Sequence, residues 1–458
     1  MDGMANQDAA TGFLREIWTA LEGPAEATQT VRFTGEGALP SSFAVTGLAA
    51  ASIGAAGLAA AELTSALPQV TVDRRLASLW FAWTLKPDGW TMPAPWDAVA
   101  GDYRTADGWI KLHTNAPHHR AAALSVLRAP NEREAVAKAV AGWQAEALES
   151  AIIAAGGCSA VMRSRAEWAT HPQGMAVGAE PLLAIQAAGD APALDWRPSS
   201  GRPLAGLRVL DLTRILAGPI ATRFLAMLGA EVLRIDPPGW DEPSVIPEVA
   251  LGKNCARLDL KTEAGRETLR DLLRGAHVMI HGYRSDALEK LGLGAEARRA
   301  LNPGLVDVCL DAYGWSGPWA RRRGFDSLVQ MSSGIAEAGL RAYGSDKPTP
   351  LPVQALDHAT GYLLAAAALR GLTRRLATGR GSLTRCSLAR TAALLAAMPS
   401  DDLKASLAPA GPADFLDTLE ATSWGRAHRM RPPLAIEGVA IGADRPAMNH
   451  GTAEPRWS

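Results

Sequence analysis

The feature that most narrows the fold is the alternation of short strands and helices that begins at Gly206. Leu207 to Leu212 reads as a strand. Pro219 sits near the first turn of the next helix, where its missing N–H costs nothing, and Gly229 closes that helix after Leu228. Glu231 to Ile235 is a second strand. Thr262 is placed to cap a helix running to about Leu273, and His277 to Ile280 and Leu305 to Leu310 are further buried strands. An Ala-rich helix follows from Gly361 to Leu372, then Thr378-Gly379-Arg380-Gly381 and a strand near Ser382 to Leu388. This order predicts the α/β class: a parallel sheet with helices on both faces.

At 458 residues, there is room for about three domains of roughly 150 residues each. Upstream, Gly37 to Ala61 carries no charge. Its Ala, Gly and Ser content and Pro40 favour a closely packed buried helix over a membrane span. Val70 to Val72 reads as a strand, and a Pro- and Trp-rich stretch runs from Pro87 to Trp96. Tyr103 to Leu112 alternates around Asp107-Gly108, a hairpin signal. Helices are expected over about 116–127, 131–139 and 143–155, and a Pro- and Ser-rich linker over about 190–203. The chain therefore divides into 1–92, a small α+β unit at 93–192, a large domain at 203–400 and an extension at 401–458.

Charge limits the partners. Lys and Arg total 46 against 47 Asp and Glu, so there is no basic excess for nucleic acid. A hydrophobic share of 48% excludes a disordered chain. Cys158, Cys255, Cys309 and Cys386 form no CxxC pair, so no metal site is expected, and scattered thiols suit a reducing compartment. With Asp2, Asp8 and Glu16 and no apolar leader, a cytoplasmic location is expected.

Several residues can carry chemistry. The turn Ala217-Gly218-Pro219 between strand and helix suits an anion, and Asp236 ends the next strand, where a ribose could be held. Asp357 precedes the Ala-rich helix. It is either a plain cap or an outward carboxylate able to act as a nucleophile. Lys253, Arg257, Lys261, Arg284, Lys290 and Arg321 to Arg323 are surface charges unless a subset converges on one crevice. His118-His119 reads as a surface pair. No nucleophile elbow and no HExxH occurs.

Together these residues resemble family III CoA-transferases, the carnitine-type transferase and α-methylacyl-CoA racemase group. Gly206 to Pro238, Gly252-Lys253 with Leu258-Asp259-Leu260-Lys261, His277 to Gly292, Tyr313-Gly314 with Gly317-Pro318-Trp319, Gly324-Phe325-Asp326, Asp357 with Thr360-Gly361, and Thr378 to Gly381 follow the family's segments in order. The resemblance implies a Rossmann-like large domain and a smaller α+β domain. It implies CoA transfer from an acyl-CoA thioester to a small carboxylic acid through an aspartyl anhydride and an aspartyl-CoA thioester, with Asp357 as the nucleophile. Ile215 and Ala217 would line the pantetheine path, and Lys253, Tyr283, Ala287, Lys290 and Arg323 would hold the nucleotide. CoA is a substrate, no permanent cofactor is expected, and a homodimer is.

The sequence also departs from the family. Gly282 stands where Asn is usual, Ala250-Leu251 precede Gly252, and Phe325 replaces the histidine of the racemase branch. The small-domain pieces, Tyr103 to Leu112 and Glu167 to Gly174, precede the large domain. Residues 33–82 resemble a second copy of the Asp357 region in which Phe43 takes the acid's place. A rearranged, partly duplicated member is expected. A racemase or isomerase, or a CoA-binding subunit without turnover, are the alternatives. Trp315 and Trp319 are candidate walls of an acyl pocket.

Overall fold

The computed structural model describes residues 2–64, 67–284, 286–398, 400 and 403–458, with side chains from Ala9 onward. The N-terminal segment holds α1 (Asp2–Ala20), β1 (Val31–Thr34), α2 (Val45–Ala61), β2 (Val70–Asp73), α3 (Arg74–Trp80) and β3 (Leu85–Pro87). The next unit holds β4 (Gly101–Arg104), β5 (Trp109–Leu112), α4 (Pro117–Leu127), α5 (Arg133–Val140), α6 (Ala145–Ala154), β6 (Ser159–Val161), α7 (Arg165–Thr170), α8 (Pro172–Ala179) and β7 (Ala184–Asp190). β4 and β5 form the expected hairpin. Thr105 and Gly108 close its turn, and Asp107 reaches over to accept from the N–H of Ala145.

The strand–helix alternation then runs β8 (Arg208–Leu212), α9 (Ala217–Met227), β9 (Glu231–Asp236), α10 (Ile246–Val249), β10 (Lys253–Arg257), α11 (Glu263–Gly275), β11 (Val278–His281), α12 (Ala287–Lys290), α13 (Ala295–Leu301) and β12 (Val306–Asp311). It continues through α14 (Asp326–Ser332), α15 (Ile335–Tyr343), α16 (Ala355–Thr378), β13 (Arg380–Ser387) and α17 (Leu388–Ala396). β14 (Phe415–Thr422), β15 (Gly425–Met430) and β16 (Leu434–Ile436) follow. Thr262 caps α11 as expected, accepting from Gly265.

Seven strands make the main sheet, in the order β10-β9-β8-β11-β12-β13-β7. The first six run parallel. β7, from the stretch expected to belong to the small α+β unit, instead closes the edge of this sheet antiparallel to β13. Successive side chains on these strands face opposite ways, so the sheet needs cover on both sides. Val209, Val232 and Val278 pack with α9 and α16, and Leu210, Leu233 and Met279 pack with α11. The chain is thus α/β with a large parallel sheet and smaller sheets beside it.

The uncharged stretch is not a membrane element. α2 is buried on every side, between α1 and α16. Among the described residues no helix is long and apolar enough to cross a membrane.

Residues 33–82 and the Asp357 region share an element order, helix, strand, short helix: α2-β2-α3 and α16-β13-α17. Thr46 Oγ1 meets Ser78 Oγ at 2.9 Å, and Thr360 Oγ1 meets Thr391 Oγ1 at 2.7 Å. Asp73 caps α3 through Leu76, as Ser387 caps α17 through Arg390. β2 pairs in parallel with β1, as β13 does with β12, but it sits in a separate sheet ordered β1-β2-β16.

Candidate active site

In the main sheet the strand order reverses between β8 and β11. Strands that diverge there leave a crevice beyond their carboxyl ends, the usual binding place in open parallel sheets. A cavity of about 430 Å³ occupies it. Thr213 to Ala217 of the β8–α9 turn, Gly282 to Arg284 after β11, and Leu310 to Ala312 at the end of β12 make three walls. Arg321 to Phe325 and His118-His119 of α4 close the far side, with Asp357 among the lining residues.

Asp357 is not the plain cap of its helix. α16 begins at Ala355, six residues before the expected start, which places Asp357 inside the first turn. The capping oxygen comes from α14 instead. Asp326 Oδ2 accepts from the N–H groups of Leu356 at 2.9 Å and Asp357 at 3.0 Å, and Gln330 Nε2 donates to its Oδ1. The Asp357 side chain is released from capping, and the residue is only 7% exposed. Burial, and then the adjacent Asp326 charge, hold its carboxyl well above the usual carboxylate range.

The turn that feeds α9 is strained. Ile215 has φ +64°, a left-handed conformation that a β-branched residue rarely adopts. Glu242 holds it there by accepting its N–H at 2.8 Å. Beside it, the Arg214 guanidinium lies 4.6 Å from the Trp240 ring and 5.3 Å from the Tyr283 ring, and donates to the Tyr283 hydroxyl at 3.2 Å. Arg284, Arg321 and Arg323 add positive charge to the same walls, which suits a ligand bearing phosphates.

Ile215, Ala217, Tyr283, Ala287, Arg323 and Asp357 thus share one cavity. Lys253 and Lys290 are not brought to it. Lys253 is fully buried beneath the β8–α9 turn. It donates to Asp211 at 3.0 Å, to the Pro219 carbonyl at 2.9 Å and to Thr222 at 2.6 Å. It ties β10 to β8 and α9 rather than facing the crevice. Lys290 lies out on α12, paired with Asp286 at 2.6 Å, with its side chain 69% exposed.

Asp236 is also withdrawn from any ribose. It is sealed between Arg234 at 2.9 Å and His450 at 2.8 Å. Burial opposes its charge, but His450 and Arg234 outweigh that and lower its pKa. Trp315 and Trp319 do not wall the cavity. Trp315 donates to the Cys386 carbonyl at 3.0 Å, and Trp319 stacks 3.8 Å from the Arg322 guanidinium. The turn between them is clamped from the small unit. Gln173 donates to the carbonyls of Tyr313 and Ser316, and Glu180 accepts from the backbone of Trp315 and Ser316.

Other lining residues carry no motif that marks them as site residues. Asp311 ends β12, its Oδ1 accepting from Gly314 at 2.8 Å while its Oδ2 has no hydrogen-bond partner among the described residues. Burial pushes its carboxyl up to about 8. The His118-His119 pair is not a plain surface feature. His119 is buried, held neutral with its pKa near 4 by burial and by His118, and faces Cys158 Sγ at 3.6 Å. The sequence signal for Arg214 was its place between a strand end and a helix start. Nothing local pointed to Asp311.

Residues 204–414 match the family model for CoA-transferase family III. The chain is 35% identical over 192 residues to the probable fatty acyl-CoA transferase Rv3272 of Mycobacterium tuberculosis, covering 39% of this chain and 48% of that protein. It is 30% identical over 244 residues to the succinyl-CoA:glutarate CoA-transferase of Mus musculus, covering 50% and 52%. The crystal structure of Rv3272 aligns at 34% identity over 43% of this chain and 57% of that one, with a TM-score of 0.41. The chain spans about half the length of the curated relatives it matches.

Proposed function

We propose that the chain, whose residues 204–414 match the family model for CoA-transferase family III, moves CoA from an acyl-CoA thioester to a carboxylic acid, with Asp357 as the nucleophile. The observation that carries this reading is a buried carboxyl, freed from capping, in an arginine-rich crevice at the strand ends. The Asp357 carboxylate attacks the thioester carbonyl, forming a C–O bond and expelling CoA thiolate. The thiolate attacks the aspartyl carbonyl of the resulting anhydride, which releases the donor acid and leaves an aspartyl-CoA thioester. The acceptor carboxylate then opens that thioester, and the returning thiolate takes the acceptor's acyl group and frees Asp357. Free carboxylates attack thioesters slowly, so fixed geometry must supply most of the rate.

Ile215 and Ala217 fit the pantetheine arm, and Tyr283, Ala287 and Arg323 the nucleotide end. Arg214 and Arg284 are added in place of Lys253 and Lys290. The same reading takes the protein to be a cytoplasmic homodimer, which light scattering on the purified chain tests for assembly. Incubation with a panel of acyl-CoA thioesters and hydroxylamine should convert Asp357 to a hydroxamate detectable by mass spectrometry. No modification, or the same modification after Asp357→Asn, overturns the mechanism. A CoA-binding chain without turnover is the second reading, favoured by the inward Lys253. It predicts CoA binding unchanged by Asp357→Ala.

A further inference from the structure

We propose that Asp326 is the positioning residue of Asp357: its buried carboxylate fixes the first turn of α16 and stands as a like charge beside the nucleophile. The inference rests on the reading of Asp357 as the nucleophile. Asp326 opens α14 and is 2% exposed. One of its oxygens takes both N–H groups that lead into Asp357, and the other is gripped by Gln330 one turn along. Gln330 in turn accepts from the N–H of Leu351 at 2.8 Å, so two side chains of α14 hold both the approach to α16 and its start. A helix start normally takes its cap from its own chain; here residue 354 supplies no side-chain cap.

This arrangement sets a second carboxyl against the nucleophile. Burial pushes Asp326 up to about 6, offset by the Asp357 N–H, Gln330, the Leu356 N–H and, farther off, Lys111 of β5. The other titratable neighbours do not compensate. His358 is next on α16, stacked on Phe81 and held neutral near 3 by burial. His113 lies 3.7 Å over Phe325, the residue before Asp326, and is also held near 3 by burial. Asp357 therefore ionises against a like charge. A carboxylate that gives up its proton reluctantly is the stronger nucleophile once ionised. Asp326 thus aims the group and makes it more basic.

The test uses the full chain and two routes. In D326N the amide oxygen can still accept the two N–H groups, but the charge is gone. In the D326N/Q330E pair an acceptor faces the new amide and the Leu351 N–H, so the hydrogen bonds are restored with the charge moved one turn away. The first readout is the pH dependence of acyl-CoA labelling at Asp357. The second is the Asp357 carboxyl titration by NMR of 13C-aspartate-labelled protein, assigned with D357N. D326N should lower the midpoint of Asp357 ionisation by about one pH unit or more. It should cut kcat with KM little changed. The double variant should recover the thermal midpoint while keeping a lowered ionisation midpoint. An ionisation midpoint within 0.3 unit of wild type in both variants overturns the proposal and leaves Asp326 a structural cap. If no thioester labels wild-type Asp357, the transferase reading fails, and the NMR titration still decides the coupling.

Discussion

Gly361 of α16 and Gly47 of α2, each one residue after a buried threonine, offer a sharp test of how α9 and Asp357 are held together. Gly361 of α16 lies against the α9 start. A Cβ there would meet the Ala217 carbonyl oxygen at 2.5 Å and Ile220 Cβ at 2.9 Å. Both are on a packed helix, so Gly361→Ala must push α9 back by about 1 Å. Overpacking costs about 1–3 kcal/mol, and the better helix propensity of alanine returns about 1. Gly47 is its counterpart in α2, facing Ala9 Cβ at 3.2 Å and Ala10 N at 3.3 Å. There a shift of a few tenths of an ångström suffices, so Gly47→Ala should be neutral or stabilising by about 0.5 kcal/mol. The two variants should therefore differ by up to about 2.5 kcal/mol, or up to roughly 5 °C in thermal midpoint for a chain of this size. Activity should separate them further. Moving Ala217 away from Asp357 by about 1 Å can cost on the order of 100-fold in rate, read as the acyl-CoA labelling rate at Asp357. Equal thermal midpoints and equal labelling rates for the two variants would refute the claim that this contact sets the site.

Other expectations follow from buried charge. Glu248 is 0% exposed and accepts from Arg223, Arg429, Thr84 and the Leu85 N–H, joining three distant segments. Glu248→Leu strands two buried arginines and should cost about 3–5 kcal/mol by denaturant unfolding, with Arg223→Met in the same chain restoring part. Burial disfavours the Glu248 charge, but the arginines outweigh it and lower its pKa. Its stabilisation is present above about pH 4.5 and lost as pH falls through the lowered value. Asp311 works in the opposite sense. Its folded-state pKa of about 8 lies above the ordinary 3.8, so the native state keeps a proton the unfolded chain releases, and stability falls as pH rises between the two values. Asp311→Asn should match wild type near pH 4 and exceed it by about 2–5 kcal/mol at pH 8.5, compared in urea titrations at both.

The strands β8, β9, β11 and β12 were legible because each is a short, mostly apolar run flanked by breakers. The α9 and α11 boundaries were legible because Pro219, Gly229 and Thr262 act locally. The start of α16 was not. Asp357, His358 and Thr360 interrupt the apolar pattern, and the group that nucleates the turn is Asp326, 31 residues upstream. The antiparallel edge strand β7 was hidden because Ala184 to Asp190 lies among small and polar residues beside a linker. In the site, motif spacing found the β8–α9 turn, Tyr283 and Arg323. It placed Lys253 on the wrong side of that turn. Spacing along a strand does not say which way the side chain leaves it, and the buried Asp211 drew the ammonium inward. Gln173 and Glu180, which clamp the Tyr313–Pro318 turn, carry no pattern that marks them as docking residues.

The embrace of α2 by α16 also has a consequence in time. α2 is apolar on all sides and needs a partner on each, but nearly 300 residues separate its end from the start of α16. At a synthesis rate of about 5–20 residues per second, the nascent chain carries α2 for roughly 15–60 s before α16 is made. During that interval α1, β1, β2 and α3 can cover the other sides of α2, but the alanine face that meets α16 stays open to solvent and to any chaperone at the ribosome exit. Growth at raised temperature, or depletion of a nascent-chain holdase, should lower the soluble yield of the intact chain more than it disturbs the folded protein once made.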